Sequence, residues 1–221
     1  DADRLEALGA RDVAVTGNLK FDIGIPPDAA ALAARLRGRY GARPVLLAAS
    51  TRDGEEAMLL DALARTPLPA QTLLVIVQRH PQRFDEIAAL LRARGVAFVR
   101  RSEDCAVAPD VAAVLGDSMG EMAGYYAAAD VAFVGGSLAP LGGQNLIEAL
   151  AAGVPVLVGP HTFNFADAAA RAVEAEAAIR VANADDLVAQ AAELLADPSR
   201  RAAMRVHAQG FLASHQGATE R

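Results

Sequence analysis

Val131-Ala132-Phe133-Val134-Gly135-Gly136-Ser137, continuing to Gly142-Gly143-Gln144-Asn145-Leu146-Ile147-Glu148, decides the fold of this chain. A short apolar run without a polar interruption reads as a strand buried on both faces, as in a parallel sheet. Two glycine pairs follow it, and the second opens a helix on which Asn145 and Glu148, three residues apart, share one face. Ligands of open α/β sheets bind beyond the carboxyl ends of the strands, so a polar, glycine-bearing segment at that place marks a site.

Two further segments repeat the arrangement. Gly116-Asp117-Ser118-Met119-Gly120-Glu121 follows the run Val111-Leu115, and Gly159-Pro160-His161-Thr162-Phe163-Asn164-Phe165 follows Val154-Val158. Other runs of strand length stand at Val13-Val15, Val45-Ala49, Leu73-Val77, Val96-Val99 and, weakly, Ala178-Val181. Between most of them apolar residues recur at spacings of three and four, as in Met58, Leu59, Ala62 and Leu63. The alternation predicts an α/β fold: a Rossmann-like parallel sheet with helices on both faces, joined by right-handed crossovers. Asp53 with Glu56, and Ser118 with Glu121, fit capping boxes at helix starts. Gly38, Gly95 and Gly153 stand where helices can close, and the last helix runs roughly from Ser199 to Leu212.

With 221 residues and 53% hydrophobic content, the chain can bury one sizeable core. Its net charge of -6 supplies no global basic field for nucleic acid or anionic lipid, so any phosphate must be held locally. Cys105 is the only cysteine, which excludes an internal disulfide and a cysteine-based zinc site and fits a reducing compartment. The four histidines, His80, His161, His207 and His215, are not grouped with carboxylates at metal-ligand spacing. No apolar stretch reaches the roughly 20 residues of a membrane span, so the segment is expected to be soluble. The start at Asp1 carries no signal peptide and reads as cut from a longer chain, with Asp22 to Pro27 as a connection.

Ser50 and Thr51 follow the run Val45-Ala49 and precede a helix near Asp53 to Glu55, so they are either an anion seat with free amides or ordinary helix caps. Arg79 and His80 follow Leu73-Val77 on the lip of the sheet, where the guanidinium offers a forked donor to phosphate or carboxylate. Gly120 lets a ligand approach the backbone closely, while Met119 either packs on an aromatic base or plugs the core. Glu148 lies in an apolar run, where a carboxylate without a partner is costly, and it can accept both hydroxyls of a ribose. His161 is a ligand contact, a general acid or a loop residue. There is no GxGxxG, Walker motif or nucleophile elbow.

Val15-Thr16-Gly17-Asn18-Leu19-Lys20-Phe21-Asp22, Ser50-Thr51-Arg52-Asp53-Gly54-Glu55-Glu56, Arg79-His80-Pro81-Gln82-Arg83-Phe84, Gly116 to Glu121, and Gly135-Gly136-Ser137 with Gly142-Gly143-Gln144-Asn145 and Glu148 together resemble the Kdo transferases of lipopolysaccharide synthesis. Kdo is 3-deoxy-D-manno-octulosonic acid. The resemblance covers roughly residues 13 to 170 and follows the family's order and spacing. This chain departs from the family in having Gln78 for a frequent proline, Gln144 for a frequent histidine and Ala149 for a frequent proline. Gln144 hydrogen-bonds but does not titrate near neutrality, so it keeps a binding role and loses a proton-transfer one.

The resemblance implies the C-terminal, donor-binding half of a GT-B glycosyltransferase (residues 25–221), preceded by the end of another domain or a connection (residues 1–24). Such an enzyme would move Kdo from CMP-Kdo to lipid A precursor with inversion and without a metal or other cofactor. Its catalytic base would be a glutamate of the N-terminal domain, which this sequence lacks, so the fragment should bind donor without turnover. The CMP moiety would be held by Ser50, Thr51, Arg79 and the Met119-Gly120-Glu121 turn. Asn145 would reach the phosphate or sugar, Glu148 the ribose and Lys20 the Kdo carboxylate, with His80, Gly143 and Gln144 also among the donor-binding residues. Acceptor and membrane contact would come through the N-terminal domain, at the cytoplasmic face of the bacterial inner membrane. A GT-B enzyme or epimerase using a UDP-sugar would share most of these features, and a non-catalytic Rossmann-like module would carry the clustered loops without nucleotide affinity.

Overall fold

The computed structural model describes residues 2–13 and 26–215. Among them a seven-stranded sheet is parallel throughout, in the order β3-β4-β2-β1-β5-β6-β7. The strands are β1 (Val45–Thr51), β2 (Leu73–Gln78), β3 (Phe98–Arg100), β4 (Ala113–Leu115), β5 (Val131–Val134), β6 (Val156–Val158) and β7 (Ala178–Arg180). The helices are α1 (Ala2–Ala7), α2 (Ala29–Tyr40), α3 (Glu55–Arg65), α4 (Phe84–Ala93), α5 (Met122–Ala128), α6 (Ile147–Ala151), α7 (Ala166–Glu174), α8 (Ala184–Ala196) and α9 (Pro198–His215). The run at Val13-Val15 falls mostly outside the described residues, and so does Lys20.

Alternation along each strand divides the core into two layers. Val45, Leu47, Val75, Val77, Ala132 and Val134 face one side and pack with Leu36, Tyr125, Leu150 and Phe211 of α2, α5, α6 and α9. Leu46, Ala48, Leu74, Ile76, Val131 and Phe133 face the other and pack with Leu59, Ile87 and Leu187 of α3, α4 and α8. Burial of both faces explains why β1 and β2 read as unbroken apolar runs.

From β1 the chain proceeds outward to β2, while the later strands β5, β6 and β7 extend on the other side of β1. The winding reverses between β1 and β5, and loops that leave neighbouring strands in opposite directions open a crevice at such a point.

Several local expectations change. Gly38 lies inside α2, and the helix is closed instead by Gly41, whose φ of 68° only glycine adopts without strain. The last helix runs longer than expected, from Pro198 to His215. Neither expected capping box forms. The residue before α3 is Gly54, and Asp53 instead pairs with Arg83 at 3.0 Å. Ser118 bonds the Glu121 side chain rather than a helix amide.

Candidate functional site

Five loops converge on a cleft of about 330 Å³ beyond the carboxyl ends of β1, β2, β4, β5 and β6. Of the expected residues, Ser50, Arg79, Met119, Gly120, Glu121, Gln144, Asn145 and Glu148 line it, together with Val77, Gln78, Ser118, Met122, Tyr126 and Phe165. Thr51, His80 and Gly143 do not.

The separation of Ser50 from Thr51 has a backbone cause. The β1–β2 register shifts between Ala49 and Thr51, and Ser50 adopts a φ of 53°, a left-handed conformation that is unfavourable for a non-glycine residue. The irregularity turns Ser50 to the cleft, whereas Thr51 is buried with its hydroxyl unpartnered among the described residues. His80 is exposed beside the cleft, at the entry of the turn Pro81–Arg83. Gly143 is buried against the loop after β6: its φ is 78°, its amide donates to the Gly136 carbonyl at 2.6 Å, and Thr162 packs over it.

Sequence reading passed over Glu55. Its carboxylate is fully buried and accepts from the backbone amides of Gly136 (2.6 Å), Ser137 (2.9 Å) and Leu138 (2.8 Å), and from Arg52 at 2.9 Å. The amides of the first glycine pair's loop, and that of Arg52 in the expected anion seat, are therefore occupied from within the protein. Successive N–H groups form an anion-binding concavity, and here the anion is a side chain. Gly54-Glu55-Glu56 after a strand was the available signal, but nothing local says which glutamate turns inward.

The second glycine pair does not open a helix. The chain continues irregularly to Ile147, where α6 begins. Asn145 precedes that helix: its Oδ1 accepts from the Ile147 amide at 3.1 Å, and its Nδ2 donates to Glu148 Oε1 at 3.0 Å. Glu148 is exposed rather than set in apolar surroundings, because Ile147, Ala149 and Leu150 point to the core and leave its face of α6 open to the cleft.

Glu121 is committed as well. Ser118 Oγ donates to it at 2.6 Å, Arg101 at 2.9 Å, and Arg35 stands 3.9 Å away. Since the single Ser118 hydrogen goes to the carboxylate, the Tyr125 hydroxyl is the donor in its 2.9 Å bond to Ser118 Oγ. Burial, eased by this bond and reinforced by Glu121, pushes the Tyr125 phenol up to about 12. These links fix the Met119–Gly120 turn, where Met119 is 59% exposed and Gly120 has a φ of 77°. Met119 thus presents its thioether on the rim instead of plugging the core.

Arg79 is exposed and makes no side-chain hydrogen bond or ion pair among the described residues, while its amide donates to the Thr51 carbonyl at 3.0 Å. Arg83, four residues on, is tied down: it donates to both Glu56 oxygens at 2.9 and 3.0 Å and to Glu86 at 2.9 Å. One arginine of the segment anchors the loop to α3, and the other stays free for an anion. His161 is half-buried, its amide donating to the Ser137 carbonyl at 3.0 Å, and it does not line the cleft. Among the described residues no three His, Cys, Asp or Glu side chains gather as a metal site, and no helix is long and apolar enough to cross a membrane.

Residues 96–210 match the family Glycosyl transferases group 1. The whole chain is 51% identical to the 3-deoxy-D-manno-octulosonic acid transferase of Bordetella pertussis, covering 53% of that protein. It is 36% identical to the transferase of the same name from Haemophilus influenzae, over 94% of this chain and 49% of the other. The chain thus spans about half the length of these curated relatives. The crystal structure of the C-terminal CMP-Kdo binding domain of WaaA from Acinetobacter baumannii superposes with a TM-score of 0.78 at 32% identity, covering 83% of this chain and 97% of that one.

Proposed function

The chain belongs to the group 1 glycosyl transferases, in the branch of the Kdo transferases, and we propose that it is the CMP-Kdo-binding half of an enzyme that transfers Kdo to a lipid A precursor. The observation that carries this reading is the convergence of Ser50, Arg79, Met119, Gln144, Asn145 and Glu148 on one cleft at the switch point of the sheet.

Within that cleft the chemistry divides by charge. Arg79 is the cation of the cleft lining and has no side-chain partner among the described residues, and a guanidinium fork matches a phosphate oxygen pair. The Gly136–Leu138 amides are held by Glu55, so stabilisation of the departing CMP phosphate falls to Arg79 and to the carboxamides of Gln144 and Asn145, with no metal required. Glu148, with Oε1 already engaged by Asn145, keeps Oε2 for a ribose hydroxyl. Met119 at the rim offers a polarisable surface to the base. Lys20 would meet the Kdo carboxylate, residues 1–24 would lead in from a preceding domain, and residues 25–221 would form the donor domain.

A base in the N-terminal half would deprotonate the acceptor hydroxyl for direct, inverting displacement at the anomeric carbon, on the cytoplasmic face of the inner membrane. This half alone would then bind donor without turning it over.

Calorimetry of the domain with CMP and with UMP tests the reading. CMP is expected to bind more tightly than UMP. Arg79→Ala and Glu148→Ala should each lose roughly tenfold or more in CMP affinity, the scale of a charge-assisted hydrogen bond. Full CMP affinity in both variants, or none in the wild type, overturns it.

A further inference from the structure

Tyr126 lines the cleft, yet nothing in the reading above gives it a task. Its ring belongs to the core layer of α2 and α5 and is only 1% exposed. Its hydroxyl makes no hydrogen bond among the described residues. The neighbouring phenols differ: Tyr125 is bonded to Ser118, and the Tyr40 hydroxyl is sealed off without a partner among the described residues. Tyr126 is not among these sealed phenols: it lines the cleft together with Glu148, whose charge its phenol feels. A buried phenol without a partner forgoes a hydrogen bond it had in water, and such groups mark places where another molecule completes the bond.

The class of that molecule follows from donor and acceptor bookkeeping. Burial, and secondarily the negative charge of Glu148, raise the ionisation of the Tyr126 phenol far above its ordinary range, so it remains a donor. Glu148 keeps one oxygen that can only accept. An anion would be attracted by the phenol and repelled by the carboxylate. A neutral hydroxyl accepts from one and donates to the other, so the pair selects a sugar hydroxyl over a phosphate oxygen.

We infer that Tyr126 donates to a ribose hydroxyl whose own hydrogen goes to Glu148, which makes Tyr126 a specificity-determining residue of the nucleotide site. The inference rests on the reading of the cleft as a nucleotide site, and it adds a sugar-reading group that the sequence motifs do not contain.

Tyr126→Phe keeps the ring and removes only the oxygen, so the melting temperature should stay unchanged. Calorimetry with CMP, 2′-deoxy-CMP and 3′-deoxy-CMP then separates the outcomes. The variant should bind CMP roughly five- to tenfold more weakly than the wild type, the scale of one neutral hydrogen bond. It should match the wild type on whichever deoxynucleotide lacks the hydroxyl that is read. Wild-type CMP affinity in the variant, or an equal loss on all three nucleotides, overturns the inference while leaving the nucleotide site standing if Arg79→Ala and Glu148→Ala still weaken CMP. Absence of CMP binding by the wild type removes both.

Discussion

The Glu55 carboxylate at the start of α3 stands 2.6 Å from the backbone nitrogen of Gly136 beyond β5, a side chain set into the amide concavity of another loop. The contact ties together the two strands between which the winding of the sheet reverses.

Removing that carboxylate leaves at least three buried amides without an acceptor. Glu55→Ala is expected to lose on the order of 4 kcal/mol of stability, from about 1–3 kcal/mol per buried unsatisfied group with partial relaxation. Glu55→Gln, which retains one acceptor oxygen, should lose about half as much. Urea unfolding followed by circular dichroism measures both, and an unaltered midpoint for Glu55→Ala would show that the loop holds its shape without the clasp.

Arg83 and Glu56 form a pair whose side chains are 10% and 1% exposed. Truncating the cation leaves a buried carboxylate uncompensated, so Arg83→Leu should cost about 3–5 kcal/mol. Arg83→Leu combined with Glu56→Leu removes both charges and should recover much of that loss. Strictly additive effects in the double-mutant cycle would contradict a direct interaction.

A methyl group at Gly135 would lie 2.7 Å from the Ser50 carbonyl oxygen, a backbone atom that cannot swing away. Gly135→Ala should therefore destabilise by about 1–3 kcal/mol through overpacking and displace Ser50 at the cleft. Gly54→Ala provides a contrast: nothing lies within 4 Å of its added carbon, and only the φ of 86° opposes it. Thermal melts should rank Gly135→Ala below Gly54→Ala.

All three tyrosines, Tyr40, Tyr125 and Tyr126, ionise above their ordinary value of 10, chiefly because they are buried. The folded protein thus keeps protons that the unfolded chain releases near pH 10. This contribution to stability is fully present below about pH 10 and is lost as pH rises toward the Tyr125 value of about 12. Phenolate absorbance followed together with circular dichroism should show the tyrosines ionising cooperatively with unfolding. A gradual titration centred at 10 in the folded state would refute it.

Much of the sheet could be read from sequence because both of its faces are covered: Val131–Val134 was delimited to the residue, and β1 and β2 to within two. The starts of β3 and β4, at one side of the sheet, are less legible. The runs beginning at Val96 and Val111 enter the sheet only at Phe98 and Ala113, where pairing with a neighbour starts. Within the cleft, loop positions were legible, whereas the fate of individual groups was not. Glu55 and Glu121 look alike as helix-entry carboxylates, yet one is committed to amides 81 to 83 residues away and the other to Arg101. Ser50 and Thr51 are both hydroxyls, and a single irregular backbone turn decides which reaches the cleft. Tyr126 is concealed inside an apolar run because its ring belongs to the core layer, although the residue also lines the cleft.

The bonds from Arg101 to Glu121, Glu121 to Ser118 and Ser118 to Tyr125 set the conformation of the Met119–Gly120 wall as the domain folds. A molecule that enters the cleft finds this wall rigid beforehand, so docking there loses little conformational entropy and shape selectivity is strict. Cutting the mesh at Arg101 would hand that ordering cost to the guest, which would register as a larger entropic penalty on association.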